Sequence, residues 1–262
     1  LLHMGQMIQS HSMHFFHLAS PDLLLGFDAD PAIRNVAGLI EVNPALAIKA
    51  VKLRKYGQEI IRRLAGRRIH MRWALPVEER DAILADLDEM ISYIQEGVAV
   101  CKDWLESNQA VVRAFANFPS NYIGMVKDGA LELYEGPLRL VDKAGRQLAE
   151  FDGHDYLGYI AERVEDWSYL KFPYFKSLGW PEGIYRVAPL ARLNVAERIA
   201  TPLANAEFQQ FKALSEGPVE PSLYYHYARM IEALYAAEHV RELCEDEDIL
   251  SDDVLNTRLE IT

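Results

Sequence analysis

The chain has 262 residues, half of them hydrophobic and a quarter charged, with a formal net charge of -12. That balance suits a globular protein with a sizeable core, and it excludes a general nucleic-acid binder, because no basic stripe is available to neutralise phosphates. Every apolar run, Leu23 to Phe27 among them, falls far short of the roughly 20 residues of a membrane span.

Helical periodicity begins at once. Residues 2–19 predict one helix, stopped near Pro21. His11, His14 and His17 recur in it every three residues, so adjacent pairs share a face. Three imidazoles could bind zinc. Three-residue spacing fans the outer two apart, however, and no carboxylate completes an H-E-x-x-H pattern, which favours a packed, hydrogen-bonded set. Histidines also stand where a secretory signal would be apolar, and no basic start precedes them. The acidic chain is therefore expected to be cytoplasmic.

Pro31 suits the first turn of a second helix, capped by Asp28 or Asp30. A third helix is predicted from Pro44 to Leu64, closed by Gly66. Its Lys49, Lys52, Arg54, Lys55, Arg62 and Arg63, with Arg67 and Arg68, form the one cationic patch of the sequence. After Pro76 a long helix is predicted from Glu78 to Phe115, burying Ile83, Leu87, Ile91, Ile94, Val98, Cys101 and Leu105 along one face. Cys101 and Cys244 belong to no C-x-x-C pair and read as buried thiols.

Between 121 and 151 the period drops to two. Residues 122–126, 130–134, 138–141 and 147–151 read as strands, separated by Lys127-Asp128-Gly129, Glu135-Gly136-Pro137 and Lys143-Ala144-Gly145. From 155 a short helix leads into the aromatic stretch Trp167 to Lys176, which Pro173 keeps from being a regular helix. Helices follow at Pro202–Leu214 and Tyr224–Cys244, then an acidic tail. The fold class is α+β and mostly helical: a long-helix bundle (1–118), a small antiparallel β meander (121–151), and an irregular aromatic segment plus helices (155–262). No phosphate-binding glycine motif and no nucleophile elbow is present. The residues alone assemble no catalytic constellation.

Several motifs carry a resemblance. Gln6-Met7-Ile8-Gln9-Ser10-His11-Ser12-Met13-His14-Phe15-Phe16-His17-Leu18 with Pro21-Asp22 resembles a helix of the large subunit of nickel-iron hydrogenases, the one after its first metal-binding cysteine pair. Gly66-Arg67-Arg68-Ile69-His70 with Trp73 is similar to that family's G-K-K-I-H-x-x-W. Phe118-Pro119-Ser120 and Trp167-Ser168-Tyr169-Leu170-Lys171-Phe172-Pro173-Tyr174 come next in family order. Tyr185-Arg186-Val187-Ala188-Pro189-Leu190-Ala191-Arg192-Leu193-Asn194 is similar to Y-R-V-G-P-L-A-R-L-N, with Ala188 at a glycine. Tyr225-His226-Tyr227-Ala228-Arg229 resembles the opening of a later helix. Within the family the chain resembles most the soluble NAD-reducing type.

The resemblance implies an enzyme that interconverts hydrogen with protons and electrons. Its nickel-iron centre, with carbon monoxide and cyanide on the iron, is held by four thiolates in two C-x-x-C motifs. Electrons would reach NAD(P) through a small subunit with an iron-sulfur cluster and flavin-containing diaphorase subunits. Neither C-x-x-C motif is in this sequence, so the chain is expected to be the central part of such a large subunit, inactive alone. Ser10 falls where membrane-bound relatives carry an aspartate near the metals. Ser10 and His11 are expected to shape the hydrogen-bonding and proton environment of the centre, a backbone-satisfied core histidine being the plainer reading of His11. His70 is expected to face the partner's iron-sulfur cluster, although Leu75-Pro76-Val77-Glu78-Glu79 replaces the family's V-P-G-G beside it. Arg186 and Arg192 read as members of buried ion pairs. An apolar, aromatic surface is expected around the histidine helix and residues 167–192. Two other readings stand beside this one: a metal-free structural relative of the same fold, and a helical interaction protein without chemistry.

Overall fold

A computed structural model describes residues 1–66 and 75–251. They group into two compact units, one formed by 1–100 with the residues from 232 onward, the other by 101–231. Both boundaries fall inside helices. Among the described residues no helix is long and apolar enough to cross a membrane.

The first unit opens with α1 (Leu2–Ser12), followed by a π-helical segment (Met13–Ala19) and α2 (Ser20–Leu25). The predicted stop at Pro21 is therefore a change of helix type. A proline cannot donate to the carbonyl four residues back, and its ring collides with that carbonyl in a regular α-helix. Here the chain widens before the proline. The Ser20 amide bonds Phe15 O, five residues back, and the Ser20 hydroxyl donates to Phe16 O at 2.6 Å. Pro31 starts no helix. Asn35 caps α3 (Val36–Val42) instead, its side chain accepting from Ala37 N and Gly38 N. Asn43 caps α4 (Pro44–Ala65) in the same way, and Gly66 closes it at φ +67°.

α1 crosses α4 at two glycines. A Cβ on Gly57 would lie 2.6 Å from Gly5 O and 2.7 Å from Gln9 N, so the two backbones meet with no side chain between them. Met4, Ile8, Leu53 and Ile60 are buried. The long helix predicted after Pro76 is two: α5 (Val77–Ser107) and α6 (Gln109–Ala114). Part of the basic face of α4 is paired. Lys49 and Arg63 pair with Glu96 and Glu79 of α5, and Lys52 lies 3.1 Å from Glu89. Such pairs are individually weak.

In the second unit β1 (Asn121–Lys127) lies between β2 (Ala130–Leu131) and β3 (Leu138–Val141), and β3 pairs with β4 (Gln147–Phe151). The Asp128-Gly129 turn has φ of +50° and +78°, the two positive values a type I′ hairpin requires. The sheet departs from the expected meander: β1, not β2, pairs with β3, and β7 (Tyr185–Arg186) joins β1 in parallel. α7 (Tyr156–Tyr159) leads into a separate two-stranded sheet, β5 (Ile160–Arg163) with β6 (Phe172–Phe175). α8 (Ala188–Val195), not foreseen from periodicity, packs on β1, where Tyr122, Val126, Val141, Ala191 and Val195 form a buried cluster. α9 (Pro202–Lys212) and α10 (Tyr224–Glu245) follow.

Candidate functional site

α1 carries two of the expected site residues. Ser10 is half-buried. His11 is buried at 4% exposure, and its Nε2 lies 2.9 Å from Oε2 of Glu232 on α10, a side chain with no exposure at all. A side-chain carboxylate is thus a partner of His11. Burying two ionisable groups costs several kcal/mol per ion before their attraction is counted, and breaking such a pair typically costs about 3–5 kcal/mol. Next to His11, Ser12 is fully buried, and its Oγ has no hydrogen-bond partner among the described residues. A buried hydroxyl without a partner is uncommon.

His14 and His17 lie on the π-helical segment and are half-buried. The change of helix type breaks the even fan that three-residue spacing predicted. Burial chiefly, and the Arg54 guanidinium next, lower the pKa of His17 below the usual histidine value, against a smaller opposing effect of the Ser12 backbone. A neutral imidazole is the natural state of such a group at pH 7. His70 lies outside the described residues.

Glu232 was invisible to motif reading because 221 residues separate it from His11. One signal was available: it is an acid inside Met230-Ile231-Glu232-Ala233-Leu234, all five of them buried.

The second unit revises the reading of Arg186. It is buried, but its guanidinium donates to backbone carbonyls, those of Glu220, Ala116 (3.3 Å) and Phe118 (3.5 Å), and lies 4.0 Å from the centroid of the Phe118 ring. Carbonyl dipoles and a π face stabilise this cation in place of the expected carboxylate. Arg192 is half-buried. Ala188, at the position of the motif's glycine, has φ +70°, a conformation that disfavours a Cβ. The expected aromatic surface is present in part: Trp167 (77%) and Tyr169 (96%) are exposed, with Leu157, Leu170 and Val187. Around α1 it is not, since Ile8, Phe15 and Phe16 are buried and, of the large apolar side chains of this stretch, Leu18 is the exposed one.

Comparison with known proteins places this geometry. The vhu F420-non-reducing hydrogenase of Methanocaldococcus jannaschii contains a polypeptide that is 42% identical over 97% of the chain and 63% of its own length. The beta subunit of the NAD-reducing hydrogenase HoxS of Cupriavidus necator is 40% identical over 97% of the chain and 56% of its own length. A crystal structure of an NAD+-reducing [NiFe]-hydrogenase in its H2-reduced state superposes with a TM-score of 0.90 at 39% identity, over 95% of this chain and 57% of that one. This chain is homologous to nickel-iron hydrogenase large subunits. No protein-family model matches it. The Ni-Fe-Se hydrogenase of D. vulgaris Hildenborough, at 18% identity and a TM-score of 0.65, shares the fold. The hydrogenase homologue spans about three fifths of the length of the curated relatives it matches.

The residues present do not fit a nickel-iron centre. Among the described residues no group of three or more His, Cys, Asp or Glu side chains could hold a metal ion. Cys101 and Cys244 are both buried and single, and they belong to different units. Burial pushes the Cys101 thiol up to about 12 and raises Cys244 as well, so both are protonated thiols near neutral pH. Metal ligation needs the thiolate.

Proposed function

We propose that this chain is part of the catalytic subunit of a nickel-iron hydrogenase that oxidises hydrogen or reduces protons, coupled to NAD(P) through partner subunits. The observation that carries the reading is the match to an NAD+-reducing [NiFe]-hydrogenase at 39% identity and TM-score 0.90 over 95% of the chain. In this reading the iron-sulfur cluster and flavin belong to small and diaphorase subunits, in the cytoplasm. The thiolates that would hold nickel and iron are not among these residues, so no step at the metals is derived from them. What this chain supplies is a scaffold and a polar helix. Ser10 can donate or accept a hydrogen bond but holds no charge near neutral pH, and His11, fixed by Glu232, can hold a proton. Both would shape the proton environment beside the centre.

A second reading concerns the electron acceptor. The 42% identity is to a component of an F420-non-reducing hydrogenase, a relative not named for NAD, and the second reading is an acceptor other than NAD. Co-purification of the natural protein with the products of its gene neighbours tests both readings. Nickel and iron at about one each, with hydrogen-dependent NAD+ reduction, is the expected result. Hydrogen-dependent viologen reduction without NAD+ reduction selects the second reading. A metal-free complex that reduces neither acceptor removes both, and leaves the structural relative or the interaction protein.

A further inference from the structure

Glu232 belongs to none of the motifs above. It is fully buried on α10, and its carboxylate reaches His11 Nε2 at 2.9 Å. An apolar pair of similar volume would hold α1 against α10 at least as well, since buried ion pairs are weak contributors to stability. A carboxylate does two things that an apolar contact cannot. It fixes the plane of the imidazole, and by accepting from Nε2–H it decides which ring nitrogen carries the proton. Ser10 precedes His11 and is half-buried, Ser12 follows with a buried hydroxyl that has no hydrogen-bond partner among the described residues, and the π-helical segment begins at the next residue. Short π-helical insertions recur at functional sites.

We propose that Glu232 is a positioning residue for His11, keeping Nε2 protonated and the ring locked, so that Nδ1 is the unprotonated nitrogen of the imidazole. This rests on the reading of α1 as part of the proton environment of a hydrogenase. Glu232 itself touches no reacting atom. It acts through the imidazole, much as a carboxylate orients a working histidine elsewhere.

The test has two arms. In the first, the chain is labelled with 15N-histidine, and the His11 ring is assigned by its loss in His11→Gln. The expected spectrum has the proton on Nε2, with a downfield, slowly exchanging Nε2–H resonance. Glu232→Gln moves it upfield and speeds exchange, Glu232→Leu shifts the proton to Nδ1, and Glu232→Asp retains the native pattern. An unprotonated Nε2 in the native chain overturns the proposal without any variant, as do identical ring spectra in native and Glu232→Gln protein. In the second arm, hydrogen-dependent turnover of the assembled complex is measured. Glu232→Gln is expected to lower it on the order of tenfold with Glu232→Asp restoring it, and native turnover in Glu232→Gln overturns the link to the reaction. A native complex with no hydrogen turnover counts against the proposed function alone, because the ring spectrum needs no activity.

Discussion

Gly57 sits in the middle of a 22-residue helix, where intrinsic propensity alone says alanine should stabilise by about 1 kcal/mol. The crossing with α1 says the opposite. The new Cβ would lie 2.6 Å from Gly5 O and 2.7 Å from Gln9 N, so the backbones must part by about 0.8 Å to reach the 3.4 Å of ordinary contact. Backbone atoms cannot swing aside as a side chain can. A gap of 0.5–1 Å forfeits roughly a quarter to a half of each dispersion well along the seam, where Ile60 lies against Gly5. Overpacking of this kind costs about 1–3 kcal/mol. Set against the propensity gain, the net expectation for Gly57→Ala is a loss of up to about 2 kcal/mol. Urea unfolding followed by far-UV circular dichroism measures it as a lower midpoint, by a few tenths molar for a slope on the order of 3 kcal/mol/M. A midpoint that rises, with the slope unchanged, refutes the close crossing.

Ala188→Gly should stabilise, because removing a left-handed Cβ recovers about 1–2 kcal/mol against about 0.4–1 kcal/mol of extra unfolded-chain entropy; a lower melting temperature would contradict the strained φ. Asn35→Ala and Asn43→Ala should each cost about 1 kcal/mol through loss of a helix cap, and the matching serine variants should recover most of it in the same melts. Neither cysteine should react with iodoacetamide at pH 8 until the chain is denatured, and rapid labelling of native Cys101 would disprove its burial. The sign of the linked pH effect follows from the same thiol. Folded, Cys101 keeps its proton up to about 12, whereas an unfolded cysteine loses it near about 8.5. Its contribution is complete below that lower value and declines as pH rises toward 12, so Cys101→Ala should flatten the alkaline limb of the stability curve.

Local signals were legible where one residue decides one geometry. Gly66 ends α4, Asp128-Gly129 makes the hairpin turn, and β3 and β4 begin and end where alternation predicts. Errors arose where two demands meet in one segment. Pro21 looked like a stop because the pattern offers no way to know that the helix widens before it. Asp28 and Asp30 looked like caps, but Asn35 won, with Asp30 accepting from Ala32 N in a turn instead. The motifs led to the right fold. They could not supply Glu232, since pairing across 221 residues leaves no trace in spacing, nor the carbonyl partners of Arg186, since backbone atoms have no letter in the sequence.

Those carbonyl partners have a consequence for the unfolded chain. Arg186 ties the segment at 116–118 to Glu220, Asn121 Nδ2 reaches Glu182 O and Ile184 O, and Ser222 Oγ closes back onto Ala116 O at 2.7 Å. Together they clasp a loop of about a hundred residues at its neck. Loop closure grows only logarithmically with length, about 0.6 kcal/mol for each doubling, so a few polar clasps suffice where many small domains use a disulfide. A clasp built from guanidinium, amide and hydroxyl groups is also indifferent to redox potential. It would hold its loop shut at any potential the chain meets, including one poised by hydrogen itself.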